Sequence, residues 1–383
     1  MGCHCGAQLI FWLGATALAF IFVGYGALMS LLARLFPRAE KITVGAPLPH
    51  VCAVVIAHNE EQRIVARIEN LLASEYPAEK LRVLVVSDGS TDATVARTQA
   101  LANPRVSLLA HGERRGKAAG LNTALAQCTS EIVAFADARQ RFAPDAIARL
   151  AAHFADPQIG AASGTLEIDA SGSAAGSGVD AYWRYEKSVR RAESRFDSCI
   201  GCTGAIYAIR RALFTPIPAD TVLDDVVIPM RISVGGHRVT HDPAALAFDP
   251  QPLEPAAERI RKRRTLAGNF QMLFRHPGWL LPWRNRLWWQ LISHKYLRLL
   301  APICLIAVLC ASILLSRHPF YRAALFAQCA LYATALIGLA FPGLRMKIFA
   351  LPAAFLFLNA TVVRGFWHYL TSPDLHRWTR RQP

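Results

Sequence analysis

The sequence predicts an α/β domain built on a mostly parallel sheet with helices on both faces, flanked by one N-terminal and about three C-terminal transmembrane helices. Three observations predict it. Short runs rich in Val and Ile alternate with helical stretches between about 49 and 253. One uncharged stretch precedes that region and three apolar stretches follow it. The 383 residues are 53% hydrophobic and 18% charged, too apolar for domains that meet only water.

The first element runs from Ala7 to Ala33 without a charge, and about 27 residues at roughly 1.5 Å each cross a hydrocarbon layer of about 30 Å. Residues 1–36 therefore read as an anchor. A cleaved signal would carry Lys or Arg before its apolar core, and Met1 to Gly6 carries neither. Gly6 stands where a myristoylation signal wants Ser or Thr, so Gly2 is not a lipidation site. Arg34, Arg38 and Lys41 follow the helix, and by the positive-inside rule they place the next region, residues 49–253, in the cytoplasm.

In that region VCAVVIA precedes a helical stretch from Glu60 to Leu72, and LRVLVVS precedes one from Asp92 to Ala102. VSLL then leads to Lys117–Cys128, and IVAFA to Pro144–Phe154. Fully apolar strands alternating with helices describe a parallel sheet covered on both sides. Such sheets bind ligands beyond the carboxyl ends of their strands. The Gly-Ser run from Ser171 to Gly178, with Pro252 and Pro255, reads as flexible connection.

From 254 to 295 ten Lys or Arg face only Glu254 and Glu258 once Arg298 is included, interleaved with Trp279, Trp283, Trp288 and Trp289. Aromatic rings beside cations suit the headgroup zone of an anionic leaflet, so the excess behind the net +15 points to membrane lipids, not to nucleic acid. Spans are expected at Tyr296–Leu315, Tyr321–Phe341 and Ile348–Tyr369 within 296–370, followed by a basic tail over 371–383. Three crossings would put Arg377, Arg380 and Arg381 outside, against the positive-inside rule; either the last segment lies along the interface or the tail is an exception. The nine cysteines form no dense framework, and Cys304, Cys310 and Cys329 lie in apolar runs, which excludes a disulfide-stapled scaffold. Cys199 and Cys202 lack a second pair at zinc spacing.

Chemistry gathers at three strand ends: Ala57-His58-Asn59-Glu60-Glu61, Ser87-Asp88-Gly89-Ser90-Thr91-Asp92 and Ala136-Asp137-Ala138-Arg139. Each delivers a carboxylate to the same sheet edge. The second also reads as a plain helix start capped by Ser90 or Asp92.

Taken in order, VVIAHNEE, VVSDGSTDAT, RRGKAAGLNTAL and FADARQRFAPDAI resemble the family 2 glycosyltransferases of the cellulose synthase-like group, over about Val51 to Gln271. The flanking helices resemble that group's integral-membrane members. The resemblance implies a GT-A fold and transfer of a hexosyl or N-acetylhexosaminyl unit from a nucleoside diphosphate sugar, a UDP-sugar first, with Mg2+ or Mn2+. The acceptor it implies is lipid-linked or a saccharide, and the location is the cytoplasmic membrane.

Carried over by position, Asn59 and Glu60 stand in the first-strand loop, with Glu60 near the nucleoside, and Asp88 matches the acid that contacts uracil or ribose. Lys117 matches the basic residue beside the donor. Asp137 opens what is usually Asp-Xaa-Asp and is the implied metal ligand, but Arg139 fills the third position. A guanidinium cannot ligate a metal. Either Asp137 alone holds the ion with water and phosphate oxygens, or Arg139 itself faces the leaving diphosphate.

Thr203 and Gly204 fall in the acceptor-side segment. Asp224-Asp225 matches the Glu-Asp pair, with Asp225 the general base and Asp224 raising its pKa; without the resemblance both acids read equally as helix caps. In Arg261 to Gln271, Arg264 keeps the diphosphate-binding arginine, while Thr265 replaces the Trp of polymer-forming members. That change argues for few or single additions. Arg139 and the altered Arg-Trp motif leave a second expectation open, a catalytically silent nucleotide-sugar-binding partner of a saccharide synthesis or export complex.

Overall fold

The computed structural model describes residues 2–39, 47–168, 177–249, 255–341, 343–344, 346–372 and 374–375. Lys41, Pro252, Arg377, Arg380, Arg381 and most of the Gly-Ser run lie outside them; Ser177 and Gly178, at its end, open a helix.

Eight strands form one sheet: β1 (Val51–Ala57), β2 (Leu81–Asp88), β3 (Val106–His111), β4 (Ile132–Ala136), β5 (Arg141–Phe142), β6 (Ile159–Ile168), β7 (Ile206–Arg210) and β8 (Arg238–Asp249). Their order is β3-β2-β1-β4-β7-β6-β8-β5. The pairs β1 with β2, β1 with β4, β2 with β3 and β6 with β8 are parallel, and β7 runs antiparallel between β4 and β6. The helices are α1 (Gly2–Ala19), α2 (Tyr25–Leu35), α3 (Ile64–Leu72), α4 (Thr94–Ala100), α5 (Lys117–Gln127), α6 (Ala146–Ala152) and α7 (Ser177–Phe196). After them come α8 (Asp224–Val234), α9 (Pro255–Arg275), α10 (Trp288–Leu291), α11 (Leu297–Leu314), α12 (Pro319–Ala340) and α13 (Lys347–Thr371).

The continuous apolar run of β1 follows from its position. Successive side chains of a strand point to opposite faces, and both faces are covered. Val54 and Ile56 join Leu84 and Val86 beneath α5 and α8, while Ala53 and Val55 join Val83 and Val85 beneath α3 and α6. The predicted helix from Glu60 starts at Ile64 instead, because the loop's N–H groups find other acceptors. Glu60 N donates to Thr94 Oγ1 at 2.8 Å, and Glu61 N to Asp92 Oδ2 at 3.2 Å.

Register decides where the chemistry lands. Ala57 lies opposite Ser87, and Val55 opposite Ala136, so Asn59, Asp88 and Asp137 emerge at one edge. Ile206 pairs antiparallel with Ala136, which brings Thr203 and Gly204 to that same edge. The chain winds away from β1 in both directions, and the crevice so formed is where open α/β sheets bind ligands.

Four stretches are long and apolar enough to cross a membrane: His4–Leu35, Trp288–Leu314, Pro319–Ala340 and Lys347–Thr371. The second begins at Trp288, ahead of the expected Tyr296, because α10 continues through a wide π turn (Ile292–Tyr296) into α11. The basic segment is not a loose surface strand. Its first part is α9, which packs along α13, with Phe270 against Phe366 and Phe274 stacked on Tyr369. A Cβ at Gly365 would sit 2.7 Å from Leu266 Cβ, so only glycine permits this approach.

These contacts bear on the expected three crossings. Tyr296 and Leu299, at the start of α11, pack with the domain core. The end of α11 packs with Ala7 and Phe11 at the far end of the anchor, where α12 begins. Yet Val362 and Leu375 return to the domain core, and Arg264 Nε donates to the Leu375 carbonyl at 3.2 Å. A chain that starts and ends on one side crosses an even number of times. Both ends of the stretch from α11 to Leu375 thus pack with the domain core, and α13 lies along the arginine-rich α9. A cysteine introduced at Ser372 is expected to react with a membrane-impermeant maleimide from the same side as one at exposed Glu79. Labelling from opposite sides would refute this arrangement.

Candidate active site

The first two loops are knitted together by Asn59. Its left-handed backbone (φ 54°) lets Oδ1 accept from Thr91 N at 2.8 Å while its own N donates to Ser90 Oγ at 3.1 Å. The Glu60 carboxylate meets Arg63 at 3.1 Å.

Asp88 is buried, and both of its oxygens accept backbone N–H bonds, from Arg115 at 2.7 Å and Gly116 at 2.8 Å. Gly116 has φ 92°, and Gly89, φ 64°, lies so close that a Cβ would sit 2.5 Å from Arg114 N. Asp88 thus shapes the turn that opens α5. Contact with uracil or ribose, implied by the resemblance, falls to its remaining lone pairs.

That turn delivers Lys117. Its ammonium lies 3.0 Å from Asp137 Oδ1 and 3.3 Å from Asp224 Oδ2, joining the end of β4 to the start of α8. Burial works against the charged lysine, but Asp137, Asp224 and Asp225 outweigh it and hold its pKa above the ordinary value. Asp225 is pushed up to about 6, first by burial and then by Asp224, with Lys117 opposing. Asp224 and Asp225 open α8 itself, two residues earlier than a helix start near Val226.

The segment before β7 lies against Asp225. A Cβ at Gly204 would meet Asp225 Oδ2 at 2.8 Å, and Cys202 N donates to the Asp225 carbonyl at 2.8 Å. The Thr203 hydroxyl donates to the Gly164 carbonyl and accepts from Arg190 Nη1, each at 2.8 Å. Cys199 and Cys202 are buried free thiols, and burial raises the pKa of Cys202. Arg264 stands near the same acids: burial lowers its pKa, while Asp224, Asp225 and Asp137 act the other way.

Arg139 is placed elsewhere. Its guanidinium is ion-paired with Asp249 at the end of β8, where Gln140 Nε2 also donates at 3.2 Å. The charge that would have faced a diphosphate is neutralised by Asp249, so the structure lends no support to Arg139 as a donor-binding residue.

A cleft opens beside Asp225, lined also by Cys202, Thr265, Asn269, Arg190 and Lys295. Arg190 and Lys295 were not anticipated. The signal was a lysine at the edge of an apolar span, lost when that span was taken to start at Tyr296.

Among the described residues no three His, Cys, Asp or Glu side chains converge as a metal site. The donor set fits a divalent ion only through Asp137, whose Oδ2 carries no hydrogen bond among the described residues. A hard cation that keeps waters and takes phosphate oxygens can be held that way.

Residues 52–216 match the profile of Glycosyl transferase family 2. This segment resembles the family 2 glycosyltransferases. An N-acetylglucosaminyltransferase of Rhizobium meliloti (strain 1021) is 33% identical over 172 residues, 43% of this chain and 40% of that protein. A beta-monoglucosyldiacylglycerol synthase of Synechocystis sp. is 30% identical over 198 residues, 47% of this chain and 41% of that protein. The chain thus spans about two fifths of these relatives' lengths. These names support family 2 without singling out the cellulose synthase-like group. The structure superposes on mannosyltransferase PcManGT of Pyrobaculum calidifontis, solved with GDP-Man and Mn2+, at TM-score 0.72 and 24% identity, covering 95% of this chain and 100% of that one. The segment that matches the family 2 profile therefore sits in a GT-A fold.

Replacing Asp88 by Asn sets an amide N–H2 against one of two backbone N–H groups. The expected cost is about 1–3 kcal/mol of stability, read as a lower melting temperature, with weaker nucleotide binding as Lys117 shifts. An unchanged melting temperature would show that Asp88 does not organise this turn.

Proposed function

We propose that the chain is a membrane-bound inverting glycosyltransferase, its domain on the cytoplasmic face, that moves a sugar from a nucleoside diphosphate sugar to a hydroxyl of a lipid-linked or saccharide acceptor. One observation carries the reading: Lys117, Asp137, Asp224 and Asp225 converge at the carboxyl edge of the sheet, and Asp225 also lines the cleft beside them. The family 2 match and the names of the relatives support it. A UDP-sugar is the first donor to test. The packing of Leu375 with the domain core supports a chain that returns to the domain's own side of the membrane.

In this mechanism Asp225 accepts the proton of the acceptor hydroxyl. The hydroxyl oxygen forms a bond to the anomeric carbon from the face opposite the nucleotide. The bond from that carbon to the phosphate oxygen breaks, and its electron pair leaves with the nucleoside diphosphate. Lys117 and Arg264 place fixed positive charge beside the departing group. A divalent ion held by Asp137 would supply further positive charge there. With Thr265 in the cleft where polymer-forming members carry Trp, the acceptor lacks a stacking platform, which favours single or few additions.

The test is nucleoside diphosphate release by the protein in lipid discs across a panel of sugar nucleotides. Asp225→Asn is expected to lower turnover by about 10²–10⁴-fold with donor binding kept. Because only the deprotonated carboxylate is a base, turnover should fall about tenfold per pH unit below a pKa of about 6. Binding of donor without release would instead favour a silent nucleotide-sugar-binding partner.

Asp137→Asn should weaken donor binding and blunt the response to Mn2+. Equal wild-type turnover with and without the ion would remove Asp137 as a metal ligand.

A further inference from the structure

The cleft beside Asp225 holds positive charge that the transfer step does not use. Lys295 comes from the π turn at Ile292–Tyr296, within the apolar stretch Trp288–Leu314, and π turns recur at functional sites. A lysine there is costly unless its charge meets a partner. Of the neighbouring acids, Glu186 is engaged through both oxygens, whereas Glu193, which also lines the cleft, is engaged through Oε1 and its Oε2 has no hydrogen-bond partner. Glu186 is ion-paired with Arg298 and lies 3.1 Å from His294 Nε2. Glu193 lies 2.7 Å from His294 Nδ1 and accepts from the Tyr25 hydroxyl at 2.6 Å. No described carboxylate lies within ion-pair reach of the Lys295 ammonium. Arg190, from α7, is in the same condition: its hydrogen bond goes to the neutral Thr203 hydroxyl at 2.8 Å.

Both cations line the cleft with Asp225, and the cleft borders helices that enter the membrane. The donor side already has its own cations in Lys117 and Arg264. We infer that Lys295 and Arg190 form an anion subsite for the acceptor, which is a membrane lipid carrying a phosphate next to the hydroxyl that attacks. The inference rests on Asp225 as the base at the acceptor end. It adds the substrate class: a phosphate ester held by two cations, its hydroxyl directed at the carboxylate, as charge-assisted pairing to phosphate oxygens requires.

Phosphate chemistry has two possible sources here, the acceptor lipid and the donor's diphosphate, and the experiment separates them. The protein is kept in maltoside micelles, which contain no phosphate, and binding of inorganic phosphate is read from broadening of its 31P line. Wild type should bind at millimolar concentration. Lys295→Gln and Arg190→Gln should each weaken binding about tenfold, while Lys295→Arg, which keeps the charge, stays within about twofold. Binding should persist under saturating UDP or GDP. Displacement by the nucleotide would assign these cations to the donor and overturn the inference, as would wild-type binding matched by both glutamine variants. A protein that binds phosphate in this way yet releases no nucleoside diphosphate from any donor would keep the subsite and remove the proposed transfer.

Discussion

The site depends on one ammonium group. Lys117 lies between Asp137 and Asp224, residues 20 and 107 positions further along the chain, and ties the end of a parallel strand to the start of the helix that presents Asp225. Without it three acids would face one another in a half-dry crevice, and like charges that close raise each other's pKa or push apart. The lysine is itself held by geometry further back. Asp88 takes both N–H groups of the turn before α5, and that turn needs the left-handed backbone of Gly116. A change at Asp88 thus reaches Asp225 through the turn, Lys117 and Asp224, without touching Asp225 itself.

Much of this was legible in sequence because it follows from period and strand ends. The apolar runs of β1, β2 and β4 could only be strands buried on both faces, and parallel strands deliver their following loops to one edge. That is enough to gather Asn59, Asp88 and Asp137. What could not be read was pairing between remote positions. The antiparallel entry of β7 next to β4, which brings Gly204 to Asp225, leaves no mark in the periodicity of either strand. Helix α3 starts late because Thr94 and Asp92 compete for its first N–H groups, a contest between loops some 30 residues apart. Hydropathy marked α13 as long and apolar, but length alone does not say that a helix crosses.

Domain and membrane helices share one core. Val362 and Tyr296 pack in the same cluster as Val222 and Leu223, next to Asp224 and Asp225, and α2 packs on α7 through Tyr25, Met29 and Val189. The Tyr25 hydroxyl and His294 meet on Glu193, which joins the anchor, α7 and the second apolar stretch at a single carboxylate. The cleft beside Asp225 lies at this junction, built half from the sheet domain and half from the long apolar helices. A soluble fragment cut at either membrane boundary would keep the donor edge and lose one wall of the cleft.

The pairing of Arg139 with Asp249 bears on how such a site can change over generations. Putting the family's usual acid back at position 139 would not restore an Asp-Xaa-Asp pair to service. It would leave the buried Asp249 carboxylate without its guanidinium, with Gln140 as the remaining donor described there. Each position is therefore hostage to the other. Reversal needs both to change, and either single step passes through a less stable protein, so the departure at 139 is one that drift alone does not readily undo.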